Sequence, residues 1–521
     1  MTQQQNIPDK WIACALGEVI ETIRGVTYSK DQASLEPKPG YLPVLRATNI
    51  DRTINLDDFV YVPKSQVSSE QLLQIGDVVI AASSGSKSVV GKAAQLTQKW
   101  NGSFGAFCMG IRPNPEVEPR YVGLFLQSYE YRHAVSKLAA GSNINNLKRE
   151  HIENFPFRLS PVVEQRRIVN KVDELLSDLD ASVAALERAR ANLKRYRASV
   201  LKAAVEGRLT AAWRQQNRPA ETASQLLERI LAERRRKWEQ AQLAKFAAAG
   251  KTPPKGWKDK YPEPAKPDTA NLPELPEGWC WAAVDQCSSF ESNAITDGPF
   301  GSNLKSEHYT EGGPRVIRLQ NIGDGFFVDE YAHISDEHFA SLKKHAVENG
   351  DLVIAVLGEE LPRACVIPDG VAPAIVKADC VRFKPKAGLV DSDFMNYVLN
   401  SYPTRFRCSK QIKGVGRPRL NLSHIRSIAV PLPPVGEQAA IVSMVSDMFA
   451  AQDRMDQQLV KSIAQAAHLR QSILKRAFEG KLVPQDPKDE PASVLLERIR
   501  AARAGAPKAA ARRGRKPKAA A

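Results

Sequence analysis

Apolar positions along this chain follow two rhythms, and the pair of rhythms occurs twice. Through residues 1–158 they form short, β-branched runs cut by Gly, Pro and Asn: Tyr41-Leu42-Pro43-Val44-Leu45-Arg46, Gly76-Asp77-Val78-Val79-Ile80-Ala81 and Cys108-Met109-Gly110-Ile111-Arg112. Such runs predict the strands of a mixed α/β unit, closed by a helical stretch over Arg120 to Leu138. Then the rhythm changes. From Glu164 to Glu206 there is no Pro or Gly, and apolar residues recur at Ile168, Val172, Leu175, Leu179, Val183, Leu186, Leu193 and Val200. Steps of three, four and seven place them in one stripe on a helix about 60 Å long at 1.5 Å per residue. Ser160-Pro161 opens it, because Pro in the first turn forfeits no intrahelical hydrogen bond, and Gly207 is the stop.

Residues 276–431 replay the strand plan. Pro276-Glu277-Gly278-Trp279 answers Pro8-Asp9-Lys10-Trp11, Arg318-Leu319-Gln320-Asn321-Ile322 answers Arg46-Ala47-Thr48-Asn49-Ile50, and Gly350-Asp351-Leu352-Val353-Ile354-Ala355 answers the run at Gly76. His151 and His424 head two similar segments 273 residues apart. That register holds from Leu147/Leu420 through Glu164-Gln165/Glu437-Gln438 to Gly207/Gly480 and Leu209/Leu482. The period is far above that of solenoids, so each copy is a whole folding unit. The second helix opens at Pro433-Pro434, keeps Ile441, Val445, Met448, Leu459, Ile473 and Leu474, and stops at Gly480.

A lone helix of this length is marginal in water. Two similar stripes on one chain predict an antiparallel coiled coil, paired through Ile168, Val172, Leu175, Leu179 and Leu186 on one helix and Ile441, Val445, Met448, Leu459 and Ile473 on the other. The alternative is that each helix packs on its own domain. Past the helices, the stretch from Glu221 to Ile230 is echoed from Glu490 to Ile499, both reading as short amphipathic helices. The first runs into Arg234-Arg235-Arg236-Lys237 and a Pro-rich connector from Pro253 to Pro276, expected to act as a semi-rigid spacer. The second runs into an Ala/Lys/Arg tail, expected to be disordered.

The fold class that follows is α+β: two mixed α/β domains separated by two long helices in an antiparallel coiled coil, with a pseudo-twofold repeat. The boundaries fall at 1–158, 159–207 for the central long helix, 208–275 for the short helix and connector, 276–431, 432–481 for the distal long helix, and 482–521 for the short helix and tail.

Charge adds a partner class. With 73 Lys and Arg against 58 Asp and Glu, the net charge of +15 suggests a polyanion, most economically nucleic acid. Seven scattered cysteines without a CxxC pair argue against a disulfide framework or a zinc site and fit a reducing cytoplasm. No apolar run reaches the roughly 18–20 residues of a membrane span, and the N-terminus has no secretory pattern.

Catalytic chemistry is not legible. Gly85 to Ala93 departs from a phosphate loop in spacing and ends on Ala93 where a hydroxyl should hold magnesium. Gly414-Val415-Gly416 is a fragment of a dinucleotide fingerprint. Asp351, Glu359 and Glu360 lack a lysine at nuclease spacing. No metal ligand set is assigned.

Four segments carry a resemblance: Asp297-Gly298-Pro299-Phe300-Gly301-Ser302-Asn303-Leu304-Lys305, the run from Leu420 to Ile425, Pro433-Pro434-Val435-Gly436-Glu437-Gln438, and Phe478-Glu479-Gly480-Lys481-Leu482. With the order variable domain, long helix, variable domain, long helix, the chain closely resembles the specificity (S) subunit of type I restriction-modification systems. The first half has no Gly-Pro-Phe-Gly box; Arg24-Gly25-Val26-Thr27-Tyr28 stands in that region. The resemblance implies two target recognition domains, each reading one half of a bipartite asymmetric site in double-stranded DNA. It implies helices that set the spacing and bind two methyltransferase (M) subunits, with two endonuclease/translocase (R) subunits completing the complex. S-adenosylmethionine, ATP and Mg2+ would belong to those partners, and this chain would be non-catalytic and bind none of them. A coiled-coil DNA-binding scaffold or repressor without a methyltransferase partner is the alternative.

Base reading needs hydrogen-bonding side chains on loops, and phosphate gripping needs cations. The candidate DNA contacts in the first half are Arg46, Asn49, Ser84, Ser86, Lys87, Asn143, Asn145, Asn146 and Lys148. In the second they are Ser302, Asn303, Lys305, Arg318, Gln320, Arg363, Lys413, Arg417, Arg419 and Asn421. The tail from Arg512 to Lys518 is read as a phosphate-attracting segment.

Overall fold

The computed structural model describes residues 7–138, 145–412 and 418–505, with Asn145 described by its backbone alone. The chain forms two compact units, Met1–Glu187 with Leu459–Ala521, and Arg188–Gln458. Each unit therefore draws on both halves of the sequence.

In the first unit a four-stranded antiparallel sheet runs in the order Ile20–Arg24, Cys108–Pro113, Val78–Ala81, Ala93–Gln95. All four residues of Val78–Ala81 are buried, which a continuous apolar run requires. Successive side chains of a strand point to opposite faces. Val78 and Ile80 join a core with the long helices, whereas Val79 and Ala81 join a second core with Leu45 and Phe104 from the neighbouring three-stranded sheet. A further pair, Ile12–Ala15 with Pro156–Leu159, ties the start of the domain to its end.

The second unit repeats this. Its sheet runs Ile295–Asp297, Cys380–Phe383, Leu352–Ala355, Arg363–Val366, and Leu352 and Ile354 face one core while Val353 and Ala355 face another. Cys280–Ala283 pairs with Ala429–Leu432 as the equivalent closing ladder.

The long helices span Val162–Val205 and Val435–Phe478. Each start is locked to its own domain by the repeated Glu-Gln pair. Gln165 accepts from the Glu118 amide at 2.9 Å, and Gln438 from the Asp391 amide at 2.8 Å. The indole of Trp11 donates to Glu164 at 3.0 Å, and that of Trp279 to Glu437 at 2.8 Å.

The stripe residues divide by position. Ile168 and Val172 lie in one core with Ile473, Leu474 and the domain residues Tyr121 and Phe157. Ile441 and Val445 lie in another with Val200, Val205 and Phe394. At the helix starts, packing on the domain and pairing between helices therefore occur in the same core; each buried Leu, Ile or Val contributes roughly 1.5–3 kcal/mol. Leu175, Leu179 and Met448 pack on the margins of these cores, and Leu186 and Leu459 are half-buried. Within the second unit polar links take over: Arg190 pairs with Asp456 at 2.7 Å, Arg197 with Asp453 at 3.4 Å, and Gln452 donates to the Leu193 carbonyl at 2.7 Å. Rising numbers on one helix meet falling numbers on the other, so this pairing is antiparallel. In the first unit Asp180 and Arg470 form the corresponding ion pair.

Two expectations change. The stretch from Arg120 to Leu138 is two helices, Pro119–Phe125 and Tyr129–Leu138, separated at Ser128, whose hydroxyl accepts from the Tyr131 amide. The short helix after the first long one continues through the basic stretch, spanning Ala223–Ala248. The connector folds back on it, Trp257 stacking on Trp238 at 6.0 Å and Tyr261 meeting Trp238 edge-on at 5.3 Å. Aromatic residues thus give the connector an attachment that its proline content alone does not reveal. The counterpart helix spans Ala492–Gly505. The tail from Arg512 to Lys518 lies outside the described residues.

Candidate nucleic-acid interface

One edge of each domain brings two of the candidate contact segments together. In the first, Ser83–Ser84 pairs antiparallel with Asn145–Asn146, and the Leu147 amide donates to the Ala82 carbonyl at 2.8 Å. In the second, Leu357 bridges Arg419, and the Leu420 amide donates to the Val356 carbonyl at 2.9 Å. The loop after the Gly-Asp strand and the segment before the His helix, far apart in sequence, are thus held side by side in both copies.

A buried strut supports each edge. Asp77, which caps the start of its strand by accepting from the Gln74 amide at 2.8 Å, pairs with Arg112 at 2.6 Å. Asp351 accepts from the Glu348 amide at 2.9 Å and pairs with Arg382 at 2.7 Å. Burial raises the Asp351 carboxyl above its ordinary range, while the amide and Arg382 oppose that rise. The acid that looked unmatched in sequence is a framework group facing an arginine on the adjacent strand.

The Gly-Pro-Phe-Gly box of the second domain has a hidden counterpart. A Cβ on Gly298 would lie 2.2 Å from the Lys377 carbonyl carbon, and one on Gly25 would lie 2.1 Å from the Gly105 oxygen. Both glycines let a backbone cross the turn that precedes Cys108 or Cys380. Gly25 and Gly298 are 273 residues apart, so the repeat register extends into this region although the neighbouring residues differ.

Individual candidates fall into different settings. Ser86, Lys87, Asn146 and Lys148 are exposed, and the Ser86 hydroxyl lies 2.8 Å from that of Ser88. Ser84 is half-buried in the ladder. Ser302, Asn303 and Lys305 are exposed around a short helical turn, and His338 fixes this turn by contacting the Asn303 carbonyl at 2.9 Å. Arg419 is 44% exposed, pairs with Asp379 at 3.3 Å and lies 5.7 Å above the Phe300 ring. Asn421 caps the following helix through the His424 amide at 2.8 Å, and Arg363 donates to the Leu319 carbonyl at 3.3 Å. Asn143, Lys413 and Arg417 lie outside the described residues, as does the side chain of Asn145.

The Arg-x-x-Asn pair requires a correction. Asn49 is 2% exposed; its oxygen accepts from the Arg46 amide at 2.8 Å and its nitrogen donates to the Asn55 and Asp58 carbonyls. With donors and acceptor all engaged inside, Asn49 braces its loop and is not available to a base edge. Asn321 does the same with Arg318, Val328 and Glu330. Arg46 folds onto Asp58 at 2.5 Å and Arg318 onto the Tyr331 carbonyl at 3.3 Å, so both arginines close the same hairpin; Gln320 is exposed and donates to Glu330 at 2.6 Å.

Sequence reasoning missed Phe107, which is 69% exposed on the turn beside Ser83, its carbonyl accepting from the Ala82 and Ser83 amides. It also missed Asp379 and Phe300 as neighbours of Arg419. The repeat register carried to Gly25/Gly298, with a one-residue slip to Cys108/Cys380, would have pointed to both places. Among the described residues, no group of three or more His, Cys, Asp or Glu is placed to hold a metal, and no helix is long and apolar enough to cross a membrane.

Comparison with known proteins agrees with the plan of two similar domains and two long helices. The profile of the type I restriction modification DNA specificity domain matches residues 8–193 and 305–465. The StySPI type I restriction enzyme specificity subunit of Salmonella potsdam is 30% identical over 516 residues, covering 96% of each chain. The EcoKI specificity subunit of Escherichia coli K12 is 29% identical over 520 residues, again covering 96% of each. A solved chain from work on complex assembly and conformational transition of the type I R-M system superposes with a TM-score of 0.60 at 17% identity, covering 92% of this chain and all of that one.

Proposed function

This chain belongs to the family of type I restriction-modification DNA specificity subunits, and from that premise we propose that its two strand-rich domains each read one half of a split, asymmetric DNA sequence. The long helices set the number of unread base pairs between the halves and dock two methyltransferase subunits. Two endonuclease/translocase subunits complete the restriction complex. The chain itself is non-catalytic, takes no cofactor, and works in the cytoplasm; S-adenosylmethionine, ATP and Mg2+ act in its partners.

One observation carries this reading: a single framework occurs twice with different side chains on the same edge. Struts, closing ladders and Glu-Gln locks are shared between the copies, while the residues presented beside Ser83 and beside Leu357 are not. Two readers with one frame and two surfaces fit an asymmetric target. Exposed Lys87, Lys148 and Lys305 supply phosphate attraction that carries no sequence information.

The test is methylation sequencing of DNA from cells expressing this chain with its methyltransferase partner. The expected motif has two short defined parts around a fixed gap. Exchanging residues 276–431 for those of another family member should change one part only. A change in both parts, or purification without any methyltransferase subunit, refutes the reading.

A further inference from the structure

The shared framework makes the two domains comparable position by position, and one cleft differs in kind. Three equivalent positions gather beside it: the residue two after Gly25 or Gly298, the residue before Leu147 or Leu420, and the residue before Cys108 or Cys380. In the second domain these are Phe300, Arg419 and Asp379. In the first they are Thr27, Asn146 and Phe107. The equivalence is numerical for Thr27/Phe300 and Asn146/Arg419, each 273 residues apart, and structural for Phe107 and Asp379, which lie 272 apart. The Asp379 carbonyl accepts from the Val356 amide at 3.1 Å as the Phe107 carbonyl accepts from the Ala82 amide at 2.9 Å, and Cys108 and Cys380 close the same turn at 2.8 Å. Thr27, Ala106 and Asn146 line one cleft in the first domain together with Arg24 and Arg149, and Phe107 stands beside it on the turn whose carbonyl accepts from the Ser83 amide at 3.0 Å, Ser83 being the ladder partner of Asn146. In the second, Asp379 holds Arg419 from one side at 3.3 Å and the Phe300 ring lies beneath it at 5.7 Å.

We propose that this cleft is a base-reading position in each domain, that Arg419 reads a guanine in the half-site of the second domain, and that Asn146 with Phe107 reads an A·T pair in the half-site of the first. The inference rests on the family function above and names the bases that function leaves open. A guanidinium presents a planar fork of donors that matches the O6 and N7 acceptors of guanine; an asparagine amide matches N6 and N7 of adenine; an apolar ring meets the thymine methyl. Asp379 lies 3.3 Å from Nη1 of Arg419, an ion pair that favours one orientation of the fork. Phe300 adds a stacking surface that restricts rotation. At the equivalent positions of the first domain the cation and the carboxylate give way to an amide and to a ring that is 69% exposed, while Arg24 and Arg149 line the cleft beside the amide. An aromatic so exposed beside a polar ladder gains burial when a base approaches.

The test uses the full chain assembled with its methyltransferase subunits on a plasmid library of randomised sequence, with methylated motifs read by sequencing. The expected wild-type motif has a G·C pair in the part read by residues 276–431. Arg419→Ala should relax that one position, losing roughly 5–150-fold discrimination, and leave the other part intact. Asn146→Ala should relax an A·T pair in the other part, and Phe107→Ala should weaken the same pair. A uniform fall in methylation at unchanged specificity would mean that Arg419 grips phosphate, and would overturn the proposal. So would a second half-site with no G·C pair. If Arg419→Ala abolishes methylation altogether, binding of the assembled variant to duplexes carrying each of the four base pairs at that position decides: a preference for G·C as large as that of wild type refutes the assignment, and equal affinity for all four upholds it. Absence of any split motif would instead sink the family function, which separates the two failures.

Discussion

Replacing Glu437 by Gln tests the lock at the start of the second long helix. The carboxylate is 2% exposed and receives the Thr210 hydroxyl at 2.6 Å, the Arg214 Nε at 2.9 Å and Nη2 at 2.7 Å, and the Trp279 indole at 2.8 Å. Glutamine is nearly isosteric but offers one acceptor oxygen, so its amide nitrogen must confront at least one of these donors. Arg214 also loses its counter-ion. Removing one partner of a buried ion pair costs about 3–5 kcal/mol, and the 19% exposure of the Arg214 side chain lowers the figure to about 3 kcal/mol because water takes up part of the orphaned charge. In a unit of this size that corresponds to a fall of about 6 °C in Tm. Thermal unfolding of the full chain followed by tryptophan fluorescence is a direct assay, since Trp279 is one of the donors. The repeat supplies an internal control. Glu164 accepts from Trp11 at 3.0 Å and from the Gln485 amide at 2.6 Å, and Arg167 has its own partner in Asp489 at 2.5 Å. Gln485 can turn its oxygen toward a new amide, so Glu164→Gln should cost about 1 kcal/mol. Equal losses for the two variants would refute the donor-counting argument.

Burial raises the Glu164 carboxyl above its ordinary value. A folded value above the unfolded one means that the native state holds its proton longer, so this group's contribution falls as pH rises from the unfolded value through the folded one. The stability advantage of wild type over Glu164→Gln should therefore shrink on going from pH 4 to pH 7, measured by urea unfolding; an increase contradicts it. Gly25→Ala and Gly298→Ala should each destabilise by about 1–3 kcal/mol or more, because the new methyl meets backbone that cannot move aside; circular-dichroism melts within 0.5 kcal/mol of wild type would contradict the close approach. Asn321→Ala should cost about 1–3 kcal/mol by stranding the loop carbonyls, whereas Ser86→Ala should leave Tm unchanged and alter only DNA affinity.

The parts most legible in the sequence were those with periodicity. The long helices announced themselves by a stripe and a glycine stop, and Val78–Ala81 and Leu352–Ala355 by short β-branched apolar runs behind a Gly-Asp turn, the pattern of a strand with two buried faces. The edge was half legible. The ladder between Ser83–Ser84 and Asn145–Asn146 brings together two segments suspected separately, but nothing local states that they touch. Asn49 misled because an asparagine that braces a hairpin and one that reads a base have the same local sequence; only burial separates them. Phe107 was overlooked because a lone aromatic in a β-rich stretch ordinarily belongs to a core, and its exposure is set by the turn that carries it. The Trp238–Trp257 attachment was hidden by proline content, which predicts stiffness and says nothing of docking.

The division of the chain into Met1–Glu187 with Leu459–Ala521, against Arg188–Gln458, has a consequence during synthesis. The second unit is one continuous segment and can close as soon as it has emerged from the ribosome. The first cannot: Ile168 and Val172 share their core with Leu474, Phe478, Leu496 and Ile499, which are made some three hundred residues later. At about 5–20 residues per second the nascent first domain waits roughly 15–60 s with that apolar surface uncovered. Slow codons between residues 187 and 499, or depletion of holding chaperones, should therefore lower the yield of soluble protein without altering the stability of the molecules that do fold.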